Sequence, residues 1–311
     1  MRATSGPVLS LAADGDRAAF VVEGRVRECW SVMVWQPQRR RIHQLRSAAA
    51  CESTDRDPRR GTPEVALGGT RAAWVGRTGT NNLYTALETA TLARPKPVRV
   101  ALGIADDGVA GIFVHRPFGD GSLLAFTQDE RCHPDYERYL CPPGRKVGDV
   151  FQATVRRVVG PRLATAESEL TLLAIDAGRI VVRTQSGITL MDTVGRVLRR
   201  LPSGARRAAL SGDRLALRAG SAVEVYNTRT GSRTDRFPAG SGVSLEDLDG
   251  TIVVTAQGGT VALRRLGGGP TTRLHVVGNA LAALEPAGLF VAGSRRVIFL
   301  PRSEVLRRLG A

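Results

Sequence analysis

Residues 207–238, RAALSGDRLALRAGSAVEVYNTRTGSRTDRFP, decide the fold because they contain four short apolar runs separated by turn residues. Alternating apolar and polar residues, with Gly, Asn, Asp or Ser at each break, predict antiparallel strands joined by tight turns. The predicted strands lie at 208–210, 214–218, 223–226 and 234–237. We therefore expect this stretch to fold as one four-stranded antiparallel unit.

The same unit recurs along the whole chain. Its copies, aligned on the first residue of the second strand, are marked by Arg17, Arg71, Ser122, Arg179, Arg214, Thr251 and Leu289. The last three intervals between these positions are 35, 37 and 38 residues, and the earlier ones are longer because those units carry insertions. A four-strand repeat of about 40 to 50 residues is typical of a propeller blade. We expect an all-β chain that forms a β-propeller with seven four-stranded blades, and six or eight blades are the alternatives.

The repeats also predict the domain organisation and the core. We expect a single β-propeller domain over residues 1–311, with blades at about 7–46, 63–101, 103–165, 168–202, 206–238, 242–276 and 279–309. The seventh unit contains four predicted strands, the last near Val305, so we expect the ring to close by packing between the first and last blades alone. Blades pack on both faces, which predicts that the second strands are buried. The residues chosen to test this are Ala18, Phe20, Val22, Ala72, Trp74, Leu215, Leu217, Ile252 and Val254.

The pattern resembles the broad class of WD-repeat-like bacterial propellers over residues 7–309. Where WD repeats end the third strand with Trp-Asp, this chain has Trp35-Gln36, Met191-Asp192, Tyr226-Asn227 and Leu300-Pro301. The Gly-His dipeptide that precedes the first strand of WD repeats is absent. The resemblance therefore implies the fold, a central channel and one loop-built face that binds partners, and no functional residue is carried over.

The four cysteines indicate the compartment. They are Cys29, Cys51, Cys132 and Cys141, and no C-x2-C pair of the kind that binds zinc occurs. We favour disulfides that join Cys29 to Cys51 and Cys132 to Cys141, and four free thiols in a cytosolic protein are the alternative. Disulfides imply an oxidising compartment, so we expect an extracellular or cell-envelope protein, with the cytoplasm as the alternative. Residues 1–15 lack the apolar core of a signal peptide, so export would require a leader outside this chain.

Charge and composition limit the partners. The net charge is +15, almost entirely from arginine, because only Lys96 and Lys146 are lysines. The arginines are spread along the chain and aromatic residues make up only 5%, so neither a basic block nor a base-stacking platform supports a nucleic-acid partner. The sequence contains no run of 18 apolar residues, so it predicts no membrane-spanning helix. We expect a monomer.

Catalytic and metal-binding patterns are absent from the sequence. The histidines His43, His115, His133 and His275 lie in four different units and share no motif. Asp-Gly and Gly-Asp pairs could bind calcium, but they recur once per unit, where tight hairpin turns require them. No nucleophile elbow, phosphate loop or dinucleotide fingerprint occurs. The sequence thus predicts no metal, no cofactor and no catalytic residue.

Insertions in the first three units indicate where a ligand would bind. They cover residues 46–63, 77–82 and 129–148, and long loops on a rigid frame commonly carry binding surfaces. Tyrosine and arginine are frequent in interface hot spots. The third insertion provides the candidate ligand-binding residues Arg131, His133, Asp135, Tyr136, Arg138 and Tyr139. The alternative is that the loops only cover the outer edges of their blades.

The leading functional hypothesis is a non-catalytic, exported propeller that binds a protein or cell-envelope ligand. The second is a lyase or hydrolase that acts on a glycan or small molecule at the channel mouth, because propeller enzymes take scattered residues from several blades. The third is electrostatic binding of nucleic acid or another anionic polymer, which the net charge of +15 motivates.

Overall fold

Strands make up almost all the regular structure of this chain. The computed structural model describes residues 1–25, 29–48, 62–79, 82–106, 108–133 and 141–310. Within each of the first six blades the strands follow chain order from the centre outward. Those of the first three blades are β2 (Val8–Asp14), β3 (Arg17–Glu23), β4 (Trp30–Gln36), β5 (Arg41–Arg46); β6 (Glu64–Gly68), β7 (Arg71–Thr78), β8 (Asn82–Thr91), β9 (Val98–Asp106); and β11 (Phe118–Asp120), β12 (Leu123–Arg131), β13 (Val150–Arg157), β14 (Arg162–Ala166).

The last four blades are more regular. Their strands are β15 (Leu170–Asp176), β16 (Arg179–Thr184), β17 (Gly187–Asp192), β18 (Val197–Leu201); β19 (Arg207–Ser211), β20 (Arg214–Ala219), β21 (Ala222–Asn227), β22 (Arg233–Pro238); β23 (Ser244–Asp249), β24 (Ile252–Gln257), β25 (Thr260–Arg265), β26 (Thr271–His275); and β27 (Leu281–Glu285), β28 (Gly288–Ala292), β29 (Arg296–Pro301). Three elements remain: β1 (Arg2–Ala3), β10 (Ala110–Val114) and the helix α1 (Arg302–Arg308). That helix, of seven residues, is too short to span a membrane, and no other helix occurs among the described residues.

The seven innermost strands form a closed ring. β2 contacts β6 and β27, and the contacts continue in order through β11, β15, β19 and β23. Each inner strand therefore lies between the inner strands of its two neighbouring blades. The fold is a β-propeller, as the sequence predicts.

Burial follows the pattern that alternation and turn spacing predict. The nine residues of the second strands that were chosen as a test are all buried, and none is more than 4% exposed. The second strand of each blade lies between an inner and a third strand, and neighbouring blades cover both of its faces. The predicted register of the repeats is therefore confirmed.

The second and third blades are fused into one sheet. β10 pairs with β9 of the second blade and with β12 of the third, where Asp129 lies opposite Phe113. Gly103 permits the close approach of β10, because a Cβ there would lie 2.5 Å from the main-chain oxygen of Ile112. The predicted insertion at 77–82 is not a loop in its described part, since Arg77 and Asn82 belong to the long strands β7 and β8. Extra length in the second blade therefore extends strands.

Ring closure differs from the expectation. β1 pairs with β29 as the outermost strand of the last blade, with Arg2 opposite Val297. The segment around Val305 is helical, so the prediction of a fourth strand there is wrong. The apolar residues of α1 instead cover the last blade, and Val305 is fully buried. A strand from the beginning of the chain thus joins a blade from its end, and a T-shaped contact between Trp35 and Phe290 packs the first blade on the last.

Candidate functional site: the central channel and the base of the third insertion

The inner strands surround a cavity of about 400 Å³ along the axis of the ring. All seven strands run in the same direction, so one end of the channel holds their first residues and the other holds their last. We call these ends the upper and lower faces. The connections between the second and third strands of a blade, including the third insertion, also lie on the upper face.

Carboxylates at the lower end connect neighbouring blades. Glu285 accepts a hydrogen bond from the main-chain N–H of Gly15 at 3.0 Å, and Asp176 accepts one from Gly212 at 2.8 Å. The same bond joins Asp14 to Gly69 and Asp120 to Ala177, and Ser211 takes the role in the fifth blade. The acidic turns therefore do more than form hairpins, because their side chains bind the turn of the next blade.

These lower-face acids hold protons at unusually high pH. Burial, followed by the charges of Asp247, Asp14 and Asp120, raises the pKa of Glu285 to about 9. Burial also raises the pKa of Asp247 to about 7, although its carboxylate accepts hydrogen bonds from two main-chain N–H groups. The pKa of Asp120 is raised by burial and by Asp14. Burial thus raises the pKa of several acids at the lower end of the channel.

Arginines occupy the upper end. Arg77 lies at the end of β7, Arg116 lies between β10 and β11, and Arg206 and Arg207 lie at the start of β19. None of the four guanidinium groups forms a hydrogen bond or an ion pair with any described residue. The guanidinium of Arg116 lies over the ring of Phe118, with 5.0 Å between its Cζ and the ring centroid. The channel is therefore basic at its mouth and acidic at its base.

A buried carboxylate fixes the base of the third insertion. Asp129 is 4% exposed, and its two oxygens contact Nε2 of His115 and Nε of Arg131, the latter at 2.9 Å. Burial alone would raise the pKa of Asp129, but the hydrogen bonds and charges of His115 and Arg131 outweigh it and hold the pKa below its usual range. Arg131 also lies over the ring of Phe113, at 4.2 Å. The end of β12 is thus rigidly oriented.

The disulfide predicted for the third insertion is present. Cys132 and Cys141 are bonded with 4.6 Å between their Cα atoms, inside the usual range for disulfides. Sγ of Cys132 also lies 3.0 Å from the carbonyl oxygen of Lys146. Cys29 is disulfide-bonded as well, while Cys51, its predicted partner, lies outside the described residues.

Only part of the predicted binding loop can be placed. Arg131 ends β12 and His133 follows the first cysteine, whereas the remaining four candidates, Asp135, Tyr136, Arg138 and Tyr139, lie outside the described residues. Most of the first insertion, 49–61, lies outside them too. At the base of the third insertion lies a cavity of about 510 Å³, lined by Arg131, Arg145 and Arg183. It shares His115 and Thr171 with the central channel, so the two openings are continuous on the upper face.

Sequence reasoning missed the channel arginines and the links between acids and neighbouring blades. The acids carried a signal, because an Asp or Glu recurs at the end of inner strands. The arginines carried none, since they come from three different blades and follow no common spacing. Among the described residues no group of three His, Cys, Asp or Glu side chains could hold a metal ion.

Comparison with known proteins supports the fold class and nothing finer. No family model matches the chain, and no curated protein matches it. Sqt1 from Saccharomyces cerevisiae aligns with 8% identity over 96% of this chain and 97% of its own, with a TM-score of 0.50. A chain of the mitotic checkpoint complex aligns with 12% identity over 94% of this chain and 89% of its own, with a TM-score of 0.56. Hsv2 from Kluyvelomyces marxianus aligns with 10% identity over 95% of this chain and 98% of its own, with a TM-score of 0.54. These structures are propellers of the WD40 and related classes, which is what the chain resembles in fold.

Proposed function

We propose that this protein is a non-catalytic binding propeller of an oxidising compartment, and that its ligand, a protein or another cell-envelope component, binds the upper face around the third insertion. The observation that carries the proposal is the rigid base of that insertion. A buried carboxylate holds the side chains of His115 and Arg131 beside a cavity of about 510 Å³, and a disulfide closes the loop above it. Long loops on such a frame are suited to recognition.

The chemistry of the channel favours binding over catalysis. A general acid or base needs an oxygen that is free to reach a substrate. At the lower end, Glu285, Asp120 and Asp176 each use a carboxylate oxygen to accept a main-chain N–H from the next blade. At the upper end, Asp129 uses both oxygens for His115 and Arg131. These acids are therefore structural, and the upper-face cations remain for recognition.

The disulfides support location outside the cytoplasm. Disulfides persist in oxidising compartments and are rare in the cytosol. Every cysteine that the structure describes is bonded, and one disulfide lies in the proposed binding loop. Non-reducing mass spectrometry of the protein purified from its source organism would test this placement, and free thiols would contradict it.

Removal of the third insertion tests the binding surface. Arg131 lies opposite Val150, so an Asn-Gly turn can replace residues 132–149 and join β12 directly to β13. The variant keeps Asp129 and loses both cysteines of the loop, so no unpaired thiol is created. Immobilised wild-type protein and variant are incubated with envelope extract, and the retained components are quantified by mass spectrometry.

We expect the variant to fold and to lose the components that the wild-type protein retains. The control is the double substitution Thr230→Ala and Ser232→Ala, which alters an exposed turn on the lower face and should leave retention unchanged. Equal retention by the shortened variant, or turnover of a small molecule by the purified protein, would contradict the proposal.

A further inference from the structure

Four arginines at the channel mouth line one cavity, and their guanidinium groups have no carboxylate partner among the described residues. Other arginines that lie beside carboxylates pair with them, as Arg302 does with Asp249 at 2.6 Å. Arg77, Arg116, Arg206 and Arg207 line one cavity and have no partner among the described residues, and Nε of Arg116 is buried without a hydrogen bond. Cations that are brought together without counter-ions are unfavourable for folding. A ligand with complementary charge would offset that cost.

The placement of the arginines determines the shape of the ligand. Arg77 belongs to the second blade, Arg116 precedes the inner strand of the third, and Arg206 and Arg207 precede and begin the inner strand of the fifth. In a ring of seven, the second and fifth blades are as far apart as two blades can be. An extended chain with several negative charges can contact arginines on both sides of the mouth.

The base of the channel limits how deeply such a chain enters. Asp120 and Asp176 line the lower end and would repel a carboxylate. Five more acids, Glu64, Glu246, Asp247, Asp249 and Glu285, line the same cavity, so acids outnumber arginines along the cavity as a whole. Negative groups of the ligand should therefore remain at the upper mouth.

The lining favours a peptide over a nucleic acid. Single-stranded nucleic acids bind to platforms of exposed aromatic rings. Phe118 is the only phenyl or indole ring among the described residues that line the channel, and the guanidinium of Arg116 lies over it. The channel-facing edges of the inner strands, which pair with no strand of their own sheet, also present main-chain N–H and C=O groups to a polypeptide.

We propose that the mouth of the central channel binds an acidic peptide segment of a partner protein through Arg77, Arg116, Arg206 and Arg207. This deepens the proposed function and rests on it, because it names the chemistry of the segment that the propeller binds. Each carboxylate of the segment would take a guanidinium that lacks a counter-ion in the free protein.

Fluorescence anisotropy with a labelled hexaglutamate peptide at low salt tests the proposal. The mouth variant carries Arg77→Ala, Arg206→Ala and Arg207→Ala, and it keeps Arg116 because that side chain packs on Phe118. The matched control removes the same charge from outer strands with Arg162→Ala, Arg200→Ala and Arg273→Ala, which are exposed and form no described ion pair. Thermal melting verifies that both variants fold.

We expect the mouth variant to bind the peptide about tenfold more weakly than the wild-type protein, and the control to change binding by less than about twofold. Equal weakening in the two variants would overturn the proposal in favour of non-specific charge. Citrate that competes as well as the peptide would assign the mouth to a small anion, and tighter binding of oligothymidylate would assign it to nucleic acid. Either result would overturn the peptide assignment.

The two proposals fail separately. If the wild-type protein retains envelope components that the shortened variant loses, but no peptide binds at the mouth, the channel proposal alone is overturned. If the peptide binds through the mouth arginines and shortening of the third insertion changes nothing, the insertion is not the binding surface and the channel proposal stands.

Discussion

Glu285 should make the stability of this propeller fall as the pH rises through neutrality. Its pKa is about 9 in the folded chain, against 4.5 for an ordinary glutamate. Between these values the folded protein holds a proton that the unfolded chain has released, so the free energy of unfolding decreases with increasing pH. The contribution is fully present below pH 4.5 and is lost progressively up to about pH 9.

Glu285→Gln removes this proton without removing the contact. The amide oxygen of glutamine can still accept the N–H of Gly15, which lies 3.0 Å from the carboxylate in the wild-type protein. From pH 4.5 to pH 7 the wild-type carboxyl loses up to about 3 kcal/mol, since one pH unit corresponds to about 1.4 kcal/mol per proton. The variant should be more stable than the wild-type protein at pH 7 by up to that amount, with a smaller difference at pH 5.

Urea unfolding at pH 5, 6, 7 and 8, followed by tryptophan fluorescence, measures the effect. Trp35 and Trp74 are buried, so unfolding changes their emission. The control is Glu167→Gln, at an exposed glutamate outside the channel lining, which should keep the pH dependence of the wild-type protein. Asp247 and Asp120 should leave some slope in the variant, because burial raises their pKa values too.

Parallel loss of stability in Glu285→Gln and the wild-type protein between pH 5 and 8 would refute the reasoning. It would mean that Glu285 does not carry the bound proton. A variant that is less stable than the wild-type protein at every pH would show instead that the carboxyl, and not merely an acceptor oxygen, is needed between the first and last blades.

Three further changes test other parts of the fold. Replacement of both Cys132 and Cys141 by alanine should lower the free energy of unfolding by about 2 to 3 kcal/mol, the chain-entropy value for a nine-residue loop, as denaturant titration would show. Deletion of residues 1–6 removes the strand that pairs with the last blade, and calorimetry should show a lower melting temperature; an unchanged one would mean that packing alone closes the ring. Gly68→Asp would add an acid at the end of the second blade's inner strand, but it should destabilise the protein, because a Cβ there would lie 2.9 Å from Cγ of Leu124. An increase in melting temperature would contradict this.

The sequence was sufficient for the repeat, the register and the buried second strands because these depend on local patterns. Turn residues recur at fixed offsets, and the uninterrupted apolar runs around Phe20 and Trp74 match strands that are buried on both faces. Ring closure depends on a pairing between the two ends of the chain, and β1 has only two residues, too few to show an alternation. The prediction failed there for that physical reason.

The candidate site was less accessible to sequence reasoning. A motif search finds residues that are close in sequence, whereas Arg77 and Arg207 come together only because the ring places their blades around one channel. The cysteine spacing did predict the disulfide, because Cys132 and Cys141 bracket a short loop within one hairpin. The sequence was therefore sufficient for a contact within one hairpin, but not for side chains that meet only because different blades surround the same channel.

The fusion of the second and third blades connects the fold to the proposed function. β10 pairs with the end of β12 that carries Asp129, and His115 follows β10 directly. Both sides of the buried contact between His115 and Asp129 are thus fixed by one continuous sheet. A long loop on an isolated blade would depend on a free strand end. This loop begins at Cys132, three residues after Asp129, whose side chain is held by His115 and Arg131. The same sheet places Arg116 at the channel mouth, so the loop and the channel arginines are oriented by one rigid element.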